Sequence, residues 1–123
     1  MAEFKFAAQP QSESCRLINY ESYKVIPGIV NDTFFLSVQG TKPCINMEVR
    51  LSPLVYVTCP EYWGIEIVGC LPGGICLPAI GRYDEVIPLA GVTGSKGIEL
   101  IGASRRETIK VSGGCQLAQP SDC

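Results

Sequence analysis

The stretches Gly64-Ile65-Glu66-Ile67-Val68-Gly69-Cys70 and Gly97-Ile98-Glu99-Leu100-Ile101-Gly102-Ala103 are near-copies, each a short apolar run interrupted by one carboxylate and closed by glycine. Apolar and other residues alternate in both, and alternation has the period of a pleated strand rather than of a helix. The repeat therefore predicts antiparallel β structure in which equivalent strands recur. In each copy the glutamate faces away from the flanking aliphatic residues, so Glu66 and Glu99 are expected on corresponding sides of their strands.

Outward from the repeat, further runs read as strands at 15–19, 23–27, 33–39, 44–51, 54–59, 63–70, 75–78, 85–89, 97–103 and 107–111. Turn signals such as Pro27-Gly28, Asn31-Asp32, Gly40-Thr41-Lys42-Pro43, Ser52-Pro53 and Gly94-Ser95 bound them. The alternation is cleanest in 44–51, where Ile45, Met47, Val49 and Leu51 share one face and Asn46, Glu48 and Arg50 the other. By contrast, Leu54-Val55-Tyr56-Val57 is apolar on both faces, which predicts a strand covered on two sides or buried in an interface. No window of a dozen residues shows the helical period. The expectation is an all-β single domain with little or no helix, an antiparallel sandwich of seven to ten strands, with a small β-barrel as runner-up. Residues 15–111 form the domain, and the polar segments 1–14 and 112–123 read as flexible tails.

A chain of 123 residues is one domain by size. Hydrophobic residues make up 46% and charged residues 18%, below the usual quarter, so part of the apolar surface is expected to meet another subunit or a ligand. The net charge is −2 and the ten basic residues are scattered, which removes the electrostatic footprint of a nucleic-acid binder. No run reaches the roughly eighteen apolar residues of a membrane span. Met1-Ala2-Glu3-Phe4-Lys5-Phe6 places charge where a secretory leader is apolar, so the cytoplasm is the expected compartment. In that compartment Asn31-Asp32-Thr33 is a turn without a glycan.

Seven cysteines stand at 15, 44, 59, 70, 76, 115 and 123, with no Cys-x-x-Cys pair and no histidine in the chain. Zinc ligands come in closely spaced pairs, so no metal site is expected. Cys44, Cys59 and Cys70 read as small buried hydrophobes in a reducing compartment. One pair invites a bridge. A loop centred on Gly73 would set Cys70 opposite Cys76, whereas a two-residue loop at Gly73-Gly74 would pair Cys76 with Leu71 instead. The odd count leaves Cys123 as a thiol at the terminus.

The candidate chemistry is sparse. Without histidine, no Ser-His-Asp or Cys-His nucleophile can be built. Gly94-Ser95-Lys96-Gly97 resembles a phosphate loop only in composition, because its lysine precedes a strand rather than a helix, and it reads as a hairpin turn. Glu66 and Glu99 could act as an acid and base pair, or hold a hard cation, if their strands lay side by side. Tyr62 and Trp63 could offer a platform for a sugar ring or aliphatic ligand; the competing reading has Trp63 plugging the end of the core with its N–H on a rim acceptor. Tyr20, Tyr23 and Tyr83 would add to such a platform if their loops converged on it. The preferred function is a non-catalytic binding or assembly module that forms a homo-oligomer and needs no cofactor. The alternatives are a small-ligand or carbohydrate binder using Tyr62 and Trp63, and an enzyme using Glu66 and Glu99.

Overall fold

The computed structural model describes residues 13–30 and 33–115. Eight strands follow one another without a helix among the described residues: β1 (Glu13–Leu17), β2 (Ser22–Pro27), β3 (Phe34–Lys42), β4 (Glu48–Pro53), β5 (Tyr62–Pro72), β6 (Gly81–Pro88), β7 (Gly97–Ile101) and β8 (Arg106–Lys110). They make two sheets, one of β1, β4, β5, β7 and β8 and one of β2, β3 and β6. The sheets face each other across a single core in which Leu36 and Val38 of the small sheet meet Val49, Leu51, Ile65, Ile67, Ile98 and Leu100 of the large one. This is the all-β sandwich that the alternation predicts. Among the described residues β2 and β6 pair only with β3, so the two sheets stay separate and close no barrel.

β5 organises the large sheet. β4 pairs with residues 65–70 along one edge. On the other edge β1 pairs with 68–72 and β7 with 62–66, end to end. The junction is closed by hydrogen bonds from Ile18 N to the Ile67 carbonyl (3.0 Å) and from Ala103 N to the Ile18 carbonyl (3.2 Å). The two copies of the repeat are thus direct neighbours. They run parallel, the exception in a sheet otherwise paired antiparallel, because β6 intervenes in the other sheet and returns the chain to its starting end before β7 begins.

Met47, Val49 and Leu51 all point into the core, as their spacing predicts. Ile45 does not: residues 44–47 form a turn before β4 begins, and Ile45 is 47% exposed. Met47 fills the space left by the missing side chain of Gly69, where a Cβ would lie 2.4 Å from the Met47 sulfur. Met47→Ala should therefore destabilise the fold by about 2–5 kcal/mol, whereas the neighbouring exposed Glu48→Ala should stay within about 0.5 kcal/mol. Urea melts of the two variants check the ranking, and the reverse order would mean the strand is out of register by one residue.

Two expected strands are loops. Residues 54–59 continue β4 by one hydrogen bond, from Leu54 N to the Gly64 carbonyl (2.9 Å), and then leave the sheet. Val55 and Val57 are fully exposed, while Leu54 and Tyr56 turn inward onto Gly64. The doubly apolar pattern there arises from a chain draped over the sheet end, not from a strand covered twice. Residues 75–78 do not return along β5 either. Pro72 and Gly73 sit in the middle of a turn closed by Gly74 N on the Leu71 carbonyl, with Gly73 at positive φ, and the chain crosses to the small sheet.

Three disulfides pin this frame: Cys15–Cys70, Cys44–Cys76 and Cys59–Cys115. Cys15 and Cys70 are register partners of β1 and β5. Cys44–Cys76 joins the β3–β4 and β5–β6 loops at one end of the sandwich, and Cys59–Cys115 joins the β4–β5 loop to the segment after β8 at the other. The expected Cys70–Cys76 bridge does not form, because the chain leaves β5 at Pro72 and carries Cys76 to Cys44 instead. Residues 112–115, expected to belong to a loose tail, are anchored by this third bridge and by Cys115 N on the Thr93 carbonyl (2.9 Å). Residues 1–12 and 116–123, Asn31, Asp32 and Cys123 lie outside the described residues.

Candidate interaction surface

The small sheet buries one face and leaves the other open. Its register sets Val25, Leu36 and Ile87 in one row and Tyr23, Val38 and Glu85 in the next, and these rows face the core. The intervening rows face away by the pleat: Ile26, Phe35 and Pro88; then Lys24, Ser37 and Val86; then Ser22, Gln39 and Asp84. Ile26, Phe35 and Val86 are 39%, 38% and 52% exposed, unusual for residues of this size on regular strands. Beyond the apolar row the β2–β3 loop presents Ile29 and Val30, also exposed. There Ile29, Val30, Phe34, Phe35, Pro88 and Ala90 line an almost wholly apolar groove of about 320 Å³.

Charge lies at the far end of the same face. Arg82 pairs with Glu21 at 3.6 Å, and Gln39 donates from Nε2 to Asp84 at 3.3 Å. Glu85 points toward the core side, where burial and the neighbouring Asp84 push its carboxyl above the ordinary range, against the pull of Lys42.

Adjacent pairs of apolar residues, Val25-Ile26, Phe34-Phe35 and Val86-Ile87, mark all three strands of this sheet. They are the same doubly apolar signal that the sequence shows at 54–57. Read on three strands at once, it would have located the exposed face.

The expected site residues are distributed elsewhere. Glu66 and Glu99 lie on adjacent strands and share the outer face of the large sheet, but the register sets Glu99 beside Gly64 and Glu66 beside Ile101. Their Cα atoms are offset diagonally by roughly 8 Å. Glu99 pairs with Arg106 at 3.6 Å, and between the glutamates the face is filled by Ile101 and by Leu54 and Tyr56 over Gly64. Trp63 packs on the core edge-to-face with Tyr56 (5.0 Å) and donates its indole N–H to the Leu54 carbonyl at 2.8 Å. Tyr62, half-buried, opens β5 opposite Gly97. In Gly94-Ser95-Lys96-Gly97 the amides of Ser95, Lys96 and Gly97 are spent on the carbonyls of Pro60 and Glu61, which leaves no cradle for a phosphate. Among the described residues no group of three or more Cys, Asp or Glu is placed to hold a metal ion.

Tyr20 and Tyr83 belong to the core rather than to a platform. Tyr83 donates to the Asn19 carbonyl at 2.6 Å; Tyr20 donates to Glu107 and lies under the Arg105 guanidinium, 4.2 Å from the ring centre. Burial, the largest cause in both, pushes each phenol up to about 12 from an ordinary 10. A phenol whose folded pKa is raised stabilises the fold fully below the unfolded value and loses that contribution as pH rises through the folded one. Stability should thus fall between about pH 10 and 12. Tyr20→Phe and Tyr83→Phe should flatten that decline, as read by thermal melts across the range.

Comparison with known protein families, with curated proteins and with solved structures finds no match to this chain.

Proposed function

We propose that the chain is a non-catalytic interaction domain that associates with itself through apolar sheet surface. The observation that carries this reading is the outer face of β2, β3 and β6, where Ile26, Phe35 and Val86 stand in water on a rigid sheet. Scattered single hydrophobes are ordinary on a protein surface; a contiguous patch over two neighbouring rows of regular strands marks a face that works covered. The low charge fraction of the chain favours the same reading.

Three disulfides favour an oxidising compartment over the cytoplasm expected from the sequence, since cytosolic thiols are held reduced. No helix of the described residues is long and apolar enough to cross a membrane. Light scattering over a concentration series from 1 to about 100 µM tests the association, because specific interfaces of standard size hold in this range. A mass above the 13.3 kDa of one chain is expected. A monomeric mass throughout would remove the reading.

A further inference from the structure

We propose that a second copy of this chain packs face to face on the β2-β3-β6 sheet, about a two-fold axis lying between the two sheets and running along β3. The inference rests on the self-association proposed above and adds the face, the symmetry and the charged contact that fixes it.

A closed dimer uses the same patch on both copies, so the patch must be complementary to itself. Two in-plane axes keep the strands of the two copies aligned, the packing usual for twisted sheets. An axis perpendicular to the strands would invert the sheet end for end and set the row Ile26, Phe35 and Pro88 of one copy against the Arg82 end of the other, stripping water from charge without replacing it. An axis along β3 exchanges the two edges and keeps every row opposite itself. Phe35 then faces Phe35, and Ile26 faces the second copy's Pro88. The second copy's β2–β3 loop, with the fully exposed Ile29, comes over the apolar groove bounded by Pro88 and Ala90.

The charges agree with the same axis. Lys24 and Asp84 sit on opposite edge strands, in neighbouring rows. Exchange of the edges brings Lys24 of one copy over Val86 of the other, one row from Asp84. That row is roughly 6.6 Å away, within the span of a lysine side chain. Each dimer therefore gains two such pairs, while Arg82 and Glu21 already neutralise each other within one copy. Aligned packing of sheet faces is an ordinary arrangement for twisted sheets.

Sedimentation equilibrium of the oxidised full-length chain tests this, with intact disulfides and an unchanged far-UV spectrum as the folding control for every variant. The wild type should run at twice the chain mass. Phe35→Glu and Val86→Lys, both at solvent-exposed positions, should each weaken the dimer by about 100-fold, the second because it sets a like charge against the second copy's Lys24. Val57→Glu, on the β4–β5 loop, should leave it unchanged. Lys24→Glu and Asp84→Lys should each weaken association by about 10-fold, and the double variant should return to within about 3-fold of wild type. A dimer indifferent to Phe35→Glu and Val86→Lys would overturn this interface while leaving self-association standing. A double charge swap no better than the single ones would overturn the axis. A monomeric wild type would overturn both this inference and the reading beneath it.

Discussion

Full reduction of Cys15–Cys70, Cys44–Cys76 and Cys59–Cys115 is expected to unfold the protein at 37 °C. The bridges span sequence separations of 55, 32 and 56 residues. Closing loops of that length in the unfolded chain is worth about 4 kcal/mol each in the chain-entropy account, against about 5–15 kcal/mol for the whole stability of a domain this size. The three loops overlap, so their contributions do not simply add, yet losing even two of them consumes most of the available margin. Circular dichroism with and without reductant reads the effect, and retention of the native spectrum and melting temperature after reduction would contradict it. Thiol counting without reductant complements the measurement. One reactive thiol per chain is expected, in native and in denaturing conditions alike, because six of the seven cysteines are bridged and Cys123 remains. Cys44 and Cys59 should stay silent even in denaturant, where buried but reduced cysteines would appear.

Gly97→Ala should destabilise the fold by about 4 kcal/mol or more. Gly97 opens β7 with φ +155, and a Cβ there would lie 2.0 Å from the Ile109 carbonyl oxygen of β8. The obstacle is backbone on a paired strand, so no rotamer change relieves it, and β7 and β8 would have to part. Nearby, Gly94 lies against the carbonyls of Pro60 and Glu61, and Gly114 against that of Gly94. Chemical denaturation of the variant beside Gly91→Ala, whose Cβ would meet open space, separates this clash from the strain of a positive φ alone.

Strand faces were legible in the sequence where one side is wet and the other dry. Met47, Val49 and Leu51 could be placed because Glu48 and Arg50 alternate with them and nothing but a strand satisfies that period. The indole of Trp63 on a rim acceptor, weighed at the outset against a ligand platform, follows from the same logic of large areas and single polar tips. Direction was not legible. Alternation in Gly64–Cys70 and Gly97–Ala103 is the same whichever way the strands run, and only the detour through β6 makes them parallel. Nor was exposure at Val55 and Val57, since two-sided apolarity looks alike in a buried strand and in a loop crossing a sheet end. Cysteine pairing was beyond reach for a combinatorial reason: any six cysteines admit fifteen connectivities, the chain has seven from which the six must first be chosen, and the partners of Cys15 and Cys115 lie more than fifty residues away. The exposed face was missed because its evidence is spread over three strands that are distant in sequence, and only their register brings Ile26, Phe35 and Pro88 into one row.

The order of the bridged cysteines along the chain, 15, 44, 59, 70, 76 and 115, joins the first to the fourth, the second to the fifth and the third to the sixth. Every loop interlocks with the other two, and every peptide bond between Cys15 and Cys115 lies inside at least one of them. A protease that cuts once anywhere in that span, including at exposed Val55 or Leu77, releases nothing: both pieces stay covalently joined and still docked through their strands. Between Cys59 and Cys70 all three bridges would have to be opened before the halves could separate. The domain is thus built to survive nicking, with damage recorded as a cut backbone rather than as a lost fragment until a reductant arrives.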